Sequence, residues 1–364
     1  MSKTKDRLVG IDLCRGLAAF AVILVHSGDE TWGLPISNQA IQFRYLFYYA
    51  VPFFLAASFY LGTKRSPLVV DRIFWQKKLR RIIIPYLLWS IFYVISKTII
   101  FGLGDQTDRV QDLLSDPLAI IFFGAASYHL YFIPLLFAGT ILFSLANYVS
   151  KLSNSIVWLT VCSIISIVAY QLLIYTHNDF NLGTYTAFNH LLSQISLDSI
   201  SYQPFRIFLV NLSWIVRCLP YFFIALLINH ILKNYDYQWL DEKETVCAIF
   251  LFFLLIDIVG NRYLPTALNE ITIAYSFLLF GITISRHIQD RNYLINNLGL
   301  CSFGIYLFHP FIKSAVDVVL INLFPQLTQN VSIFSMLLYS IPSFILSWAF
   351  VSLMHKSKFS SRYI

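Results

Sequence analysis

Asp12, Arg15 and His26, in the first apolar stretch, have the side chains of a reaction site. On a helix turning about 100° per residue, Arg15 falls at about 300° and His26 at about 320° from Asp12, so the three share an arc of about 60°. One face of an otherwise apolar helix is therefore polar. Asp12 and Arg15, three residues apart, can pair, which reduces the cost of burying each. His26 lies roughly 16 Å beyond Arg15 at 1.5 Å per residue, too far for contact. The two would serve different depths of one cavity. Imidazole is the natural proton acceptor near neutral pH, which makes His26 a candidate general base. The same residues also fit a structural ion pair with one core histidine, or a proton relay in a transporter.

A second polar stripe lies late in the chain, where Ser302, Tyr306, His309 and Lys313 are spaced by four, three and four. Pro310, next to His309, opens the local hydrogen-bond ladder. The stripe serves either a site or interhelical hydrogen bonds that fix packing. A basic run, Lys77-Lys78-Leu79-Arg80-Arg81, precedes Pro85-Tyr86. It fits a topology signal, a contact with anionic lipid, or a seat for a ligand's phosphates. In Tyr128-His129-Leu130-Tyr131-Phe132 an interfacial aromatic belt accounts for the tyrosines but not for His129.

The elements that must position these residues follow from composition. The 364-residue chain is 57% hydrophobic and 12% charged, about half the charge of a soluble domain. That excludes an ordinary soluble enzyme, a disordered chain and a disulfide-stapled scaffold. The expected fold is all-α, a polytopic integral membrane bundle of about ten transmembrane helices forming a single domain over 1–364. Apolar runs place the spans near 8–27, 43–63, 81–101, 128–149, 156–176, 206–232, 245–260, 270–285, 298–321 and 331–354.

The net charge of +7 does not point to nucleic acid, because the basic residues cluster between apolar runs. With the N-terminus inside, eighteen of the 26 Lys and Arg fall in cytoplasmic segments and only Arg44, Arg109, Arg206 and Arg262 in outer ones, which puts both termini in the cytoplasm. Arg15, Lys97, Arg217 and Lys313 remain inside spans. Each costs at least ~2.5–3.5 kcal/mol at a helix centre, so each should face a bundle interior or hydrated cavity. The five cysteines form no metal motif and read as small core residues. No small-residue cleavage site clearly follows the first apolar run, so that segment is expected to stay in the membrane. The longest outer loops, 102–127 and 177–205, fit solvated surface or a lid over an acceptor; the second contains His177, Asp179, His190 and Asp198.

Ile11-Asp12-Leu13-Cys14-Arg15-Gly16 through His26, an arginine followed after ten residues by a histidine, resembles the N-terminal signature of the membrane acyltransferase-3 family. Lys78 and Arg81 are similar to its pair of arginines flanking two residues, with lysine in the first place. His129-Leu130-Tyr131-Phe132 resembles a motif that usually has Trp where Tyr131 stands, and Ser302-Phe303-Gly304-Ile305-Tyr306-Leu307-Phe308-His309-Pro310 is similar to the late serine/tyrosine/histidine motif. These elements occur in family order across 11–310.

The resemblance implies an O-acyltransferase of the plasma membrane. It implies acyl-CoA, usually acetyl-CoA, as a donor substrate reached from the cytoplasm, with no bound cofactor or metal. It further implies an acceptor hydroxyl on a surface glycan or lipid-linked saccharide at the outer face. His26 would be the catalytic base and Arg15 would orient the donor or polarise the site. Lys78 and Arg81 would meet the CoA phosphates, and Asp12, His129, Ser302, Tyr306 and His309 would support the site. Lysine at 78 keeps the charge but loses bidentate phosphate geometry. A transporter or flippase, or a non-catalytic export partner, is the competing expectation. A transporter often shows two related halves, and no clear repeat is present.

Overall fold

A computed structural model of the chain describes residues 7–27, 36–64, 70–146, 155–176, 203–235, 238–288, 292–325 and 330–357. The expected loop residues His177, Asp179, His190 and Asp198 lie outside the described residues. The described part is an all-α polytopic bundle, with helices α1 (Val9–Val25), α2 (Asn38–Tyr45), α3 (Ala50–Thr63), α4 (Arg72–Lys78), α5 (Ile84–Leu103), α6 (Thr107–Leu114), α7 (Pro117–Phe122), α8 (Phe132–Gly139), α9 (Ile156–Tyr175), α10 (Gln203–Asn234), α11 (Lys243–Tyr263), α12 (Thr266–Ile284), α13 (Tyr293–Leu323) and α14 (Ile333–Lys356). Among the described residues eight helical segments are long and apolar enough to cross a bilayer. The two other expected spans correspond to α1, which has 17 residues, and to the short apolar stretch Phe132–Ala146.

The helices turn their apolar surface outward. In α9, Val157, Ile164, Ile165, Val168 and Leu172 are exposed while Ser163, Ser166 and Tyr170 are buried. In α14, Ile341, Ile345, Leu346 and Leu353 face out while Ser340, Ser343 and Ser347 are buried. Between helices in a bilayer, small residues allow close approach, and serine hydroxyls turn onto their own helix. Ser163 Oγ donates to Leu159 O at 2.8 Å and Ser343 Oγ to Tyr339 O at 2.6 Å. Cys14, Cys218 and Cys301 are buried as expected; Cys247 is not a core residue, because it lies on an exposed face of α11.

Prolines set several element ends that differ from expectation. The expected span 43–63 is two helices, α2 and α3. Pro52, in the first turn of α3, has no N–H, and its ring excludes a helical carbonyl four residues earlier, at Tyr48. Pro85 acts in the same way on Arg81. The chain answers with a π-helical turn, Leu79–Ile83, in which Ile84 N–H reaches back to Leu79 O. The segment 128–131 forms turns rather than the opening of a helix, and α8 begins only at Phe132.

Helix α1 is central, packed against α13, α12, α14 and α3. Two glycines permit its approach to α13. A Cβ on Gly16 would lie 2.2 Å from Leu298 Cδ2, and one on Gly299 would lie 2.3 Å from the Asp12 Cβ. Both are overlaps that only glycine avoids. The two helices run in the same direction, since Asp12 meets Gly299 and His26 meets His309.

Candidate active site

His26 closes α1 as its C-cap. Its ring lies 4.3 Å from that of Tyr128 and 6.2 Å, stacked, from that of His309. His129 completes the group, with its ring 5.0 Å from His309, 5.3 Å from Tyr306 and 5.2 Å from Tyr93. Three histidines separated by more than a hundred residues of chain thus meet at one depth of the bundle. His129 and His309 are fully enclosed, while His26 is partly exposed.

The two enclosed rings lie against backbone carbonyls. Pro310 has no N–H, so the Tyr306 carbonyl, four residues before it, loses its helical donor. His309 Nδ1 lies 2.7 Å from that carbonyl oxygen. A carbonyl only accepts, so Nδ1 carries the hydrogen and, in the neutral ring, Nε2 carries the lone pair. His309 Nε2 is buried and has no hydrogen-bond partner. The Leu307 carbonyl receives Tyr93 OH at 2.7 Å and lies 3.4 Å from His129 Nε2, while His129 Nδ1 lies 3.2 Å from Ser127 Oγ. Tyr306 OH donates to the His129 carbonyl and locks the turn to α13.

The turn bearing His129 depends on Gly124, whose φ of +81° is the left-handed region that favours glycine. A Cβ there would lie 2.5 Å from Tyr131 N. Gly124 and Tyr93 carry no local motif that marks them as part of the site. Tyr128, expected in an interfacial belt, is exposed and also packs its ring on His26. The short Gly-Ala-Ala-Ser stretch before Tyr128 is the signal that could have located the turn.

The other expected residues sit elsewhere. Asp12 and Arg15 lie toward the opposite end of α1. Arg15 Nη1 is 3.6 Å from Asp12 Oδ1, and Arg7 Nε approaches Asp12 Oδ2 more closely, at 2.5 Å. Arg7, expected only to set orientation, also donates to Asn296 O at 2.8 Å, which ties the chain start to α13. Ser302 Oγ donates to Gly299 O at 2.9 Å, toward the Asp12 end of α13. Lys78 Nζ lies 5.2 Å from the centre of the Phe143 ring, and Arg81 is exposed on the π turn. The structure therefore gathers His26, His129, Tyr306 and His309, and sets Asp12 with Arg15, and Lys78 with Arg81, at separate places.

Two of the basic residues expected inside spans are paired with acids within the bundle. Arg217 Nη2 is 2.8 Å from Glu270 Oε1, and Lys313 Nζ is 2.7 Å from Asp317 Oδ2. Among the described residues no group of three or more His, Cys, Asp and Glu side chains could hold a metal ion.

Searches of curated proteins and of solved structures return no match. A family model described as an acyltransferase domain, that of the acyltransferase-3 family, matches residues 8–352. The match takes in both arms of the histidine cluster and the basic run, and it decides between the enzyme and transporter readings in favour of the enzyme. The chain is a membrane-embedded acyltransferase and belongs to the acyltransferase-3 family.

Proposed function

We propose that this acyltransferase moves an acyl group, acetyl in the first instance, from acyl-CoA to a hydroxyl of a surface glycan or lipid-linked sugar, in the plasma membrane with both termini cytoplasmic. The observation that carries the reading is the convergence of His26, His129 and His309, with His26 as the partly exposed ring of the three. A general base needs an imidazole that the substrate can reach in an otherwise protected place.

His26 is the catalytic base. Alone of the three rings it is partly exposed, so an acceptor hydroxyl can reach it. It takes the hydroxyl proton as the oxygen attacks the thioester carbonyl. The tetrahedral adduct then collapses, the carbon–sulfur bond breaks, and the proton passes to the CoA thiolate. His129, Tyr306 and His309 hold the imidazole group in register. At the other end of α1, Arg15, oriented by Asp12, meets the donor. Lys78 and Arg81 neutralise CoA phosphates at the cytoplasmic mouth, and Ser302 supports the helix between the two depths. The roughly 16 Å between Arg15 and His26 along the α1 axis suits an extended pantetheine arm.

Mass spectrometry of surface glycans tests this reading in cells carrying the wild-type chain, His26→Ala or no chain. Acyl increments should appear with the wild type and fall by about 10²–10⁴-fold with His26→Ala, at equal membrane expression. Unchanged acylation with His26→Ala would remove His26 from the mechanism, and identical glycans with and without the chain would remove the acceptor class.

A further inference from the structure

Beyond His309, α13 carries a second polar step that no motif contains. Lys313 and Asp317 follow His309 at four and eight residues, hence on the same face, roughly 6 and 12 Å further along the axis. They are buried in a helix that is otherwise mostly apolar on either side. The helix itself gives little reason for this pair. A base placed four residues before an acid is the less favourable order for an isolated helix.

Asp317 has one satisfied oxygen and one open one. Its Oδ2 accepts Lys313 Nζ at 2.7 Å, while Oδ1 is buried with no donor. The residue is 3% exposed. A buried carboxylate oxygen without a donor is costly, so the site suits a group that brings O–H hydrogens to it. Two turns back, His309 Nε2 is a second buried acceptor in the same condition, in a residue that is 0% exposed.

One helix face therefore offers two acceptors separated by two turns, with an ammonium between them that cancels the carboxylate charge. An anionic ligand would meet that carboxylate, and an acyl chain would leave both acceptors unmet. A neutral saccharide bearing several hydroxyls answers both. The direction along α13 agrees with this. The helix passes Arg7 at Asn296, Asp12 at Gly299 and His26 at His309 before it reaches Lys313. The step thus lies on the side of the histidines away from the Asp12–Arg15 end, where the donor is placed.

We propose that Lys313 and Asp317, together with His309 Nε2, form the acceptor subsite, in which Asp317 Oδ1 accepts a hydroxyl of a neutral saccharide and so positions a more distant hydroxyl of the same saccharide at the histidines. This rests on the sugar O-acylation reading above. The test uses membranes of the source cells lacking the native gene and complemented with the full chain or its variants. These are supplied with [14C]acetyl-CoA, and label is counted in their own glycan and glycolipid fractions. In parallel, equilibrium dialysis of [14C]acetyl-CoA against each purified variant reads donor binding.

Asp317→Asn, which keeps shape, should lower transfer by about 10- to 100-fold, the worth of a hydrogen bond to a charged group, with donor binding unchanged. The double variant Lys313→Met with Asp317→Leu removes both charges at once. A merely structural ion pair would be replaced without loss, so transfer near wild type in the double variant overturns the subsite; continued loss supports it. Full transfer in Asp317→Asn also overturns it. His26→Ala in the same assay separates the two claims, because retained transfer there defeats the parent reading whatever Asp317 does.

Discussion

Two of the buried polar clusters among the described residues are completed to different degrees. Around Glu270 every side-chain oxygen is engaged. Oε1 accepts Arg217 Nη2 at 2.8 Å, Arg217 Nε at 3.3 Å and Tyr221 OH at 2.7 Å, while Oε2 accepts Tyr170 OH at 2.7 Å. Around His309 one nitrogen is held and the other is left open. A saturated network in a low-dielectric interior fixes geometry and resists change. An unsaturated one keeps capacity for a proton or a ligand. The first joins α9, α10 and α12; the second joins α1, α13 and the turn before α8. The difference separates a group whose acceptors are all engaged from one that keeps an acceptor open.

The comparison is broken most severely by Arg217→Met, which strands the Glu270 carboxylate. Removing one partner of a buried pair costs about 3–5 kcal/mol, so thermal unfolding followed by size-exclusion chromatography should show a large loss of folded protein, while the folded fraction keeps its turnover per molecule. Pro310→Ala acts in the opposite sense. It returns an N–H to the Tyr306 carbonyl, releases His309 Nδ1 from its fixed role and removes a helix-breaking residue. Unfolding temperature should hold or rise while acyl transfer falls by about tenfold, the scale of one hydrogen bond. Unchanged transfer in Pro310→Ala would mean that the His309 tautomer is not set by the proline. The smallest effect is expected for Tyr170→Phe, which removes one of four bonds to Glu270 and should cost about 1 kcal/mol in unfolding with no change in activity.

Much of the site was legible because it was written in local patterns. Asp12, Arg15 and His26 share a helix face by simple angular arithmetic, and the i,i+3 contact of Asp12 with Arg15 is present. The Tyr306–His309–Pro310 run carried its own consequence, since a proline frees a known carbonyl. What the sequence hid was tertiary. Nothing local brings His129 against His309, and nothing in Thr-Ala-Leu-Asn-Glu marks Glu270 as the partner of Arg217, 53 residues away. Arg206 reads as a loop border, yet it is buried, paired with Asp116 and set over the Phe123 ring. Helix ends slipped where prolines acted, at Pro52 and Pro85, because hydropathy windows average over the residue that redirects the backbone.

The π turn at Leu79–Ile83 has a consequence for the two faces it joins. It inserts one residue into the helical count between the basic run and the start of α5, which amounts to a phase shift of about 100°. Downstream, Tyr86, Ser90 and Tyr93 keep their inward register, and Tyr93 reaches the Leu307 carbonyl. Lys78 just before the turn and Arg81 within it take a facing that the inward register of α5 does not dictate. The turn works as a clutch between an exposed basic surface and a buried face that must keep its register.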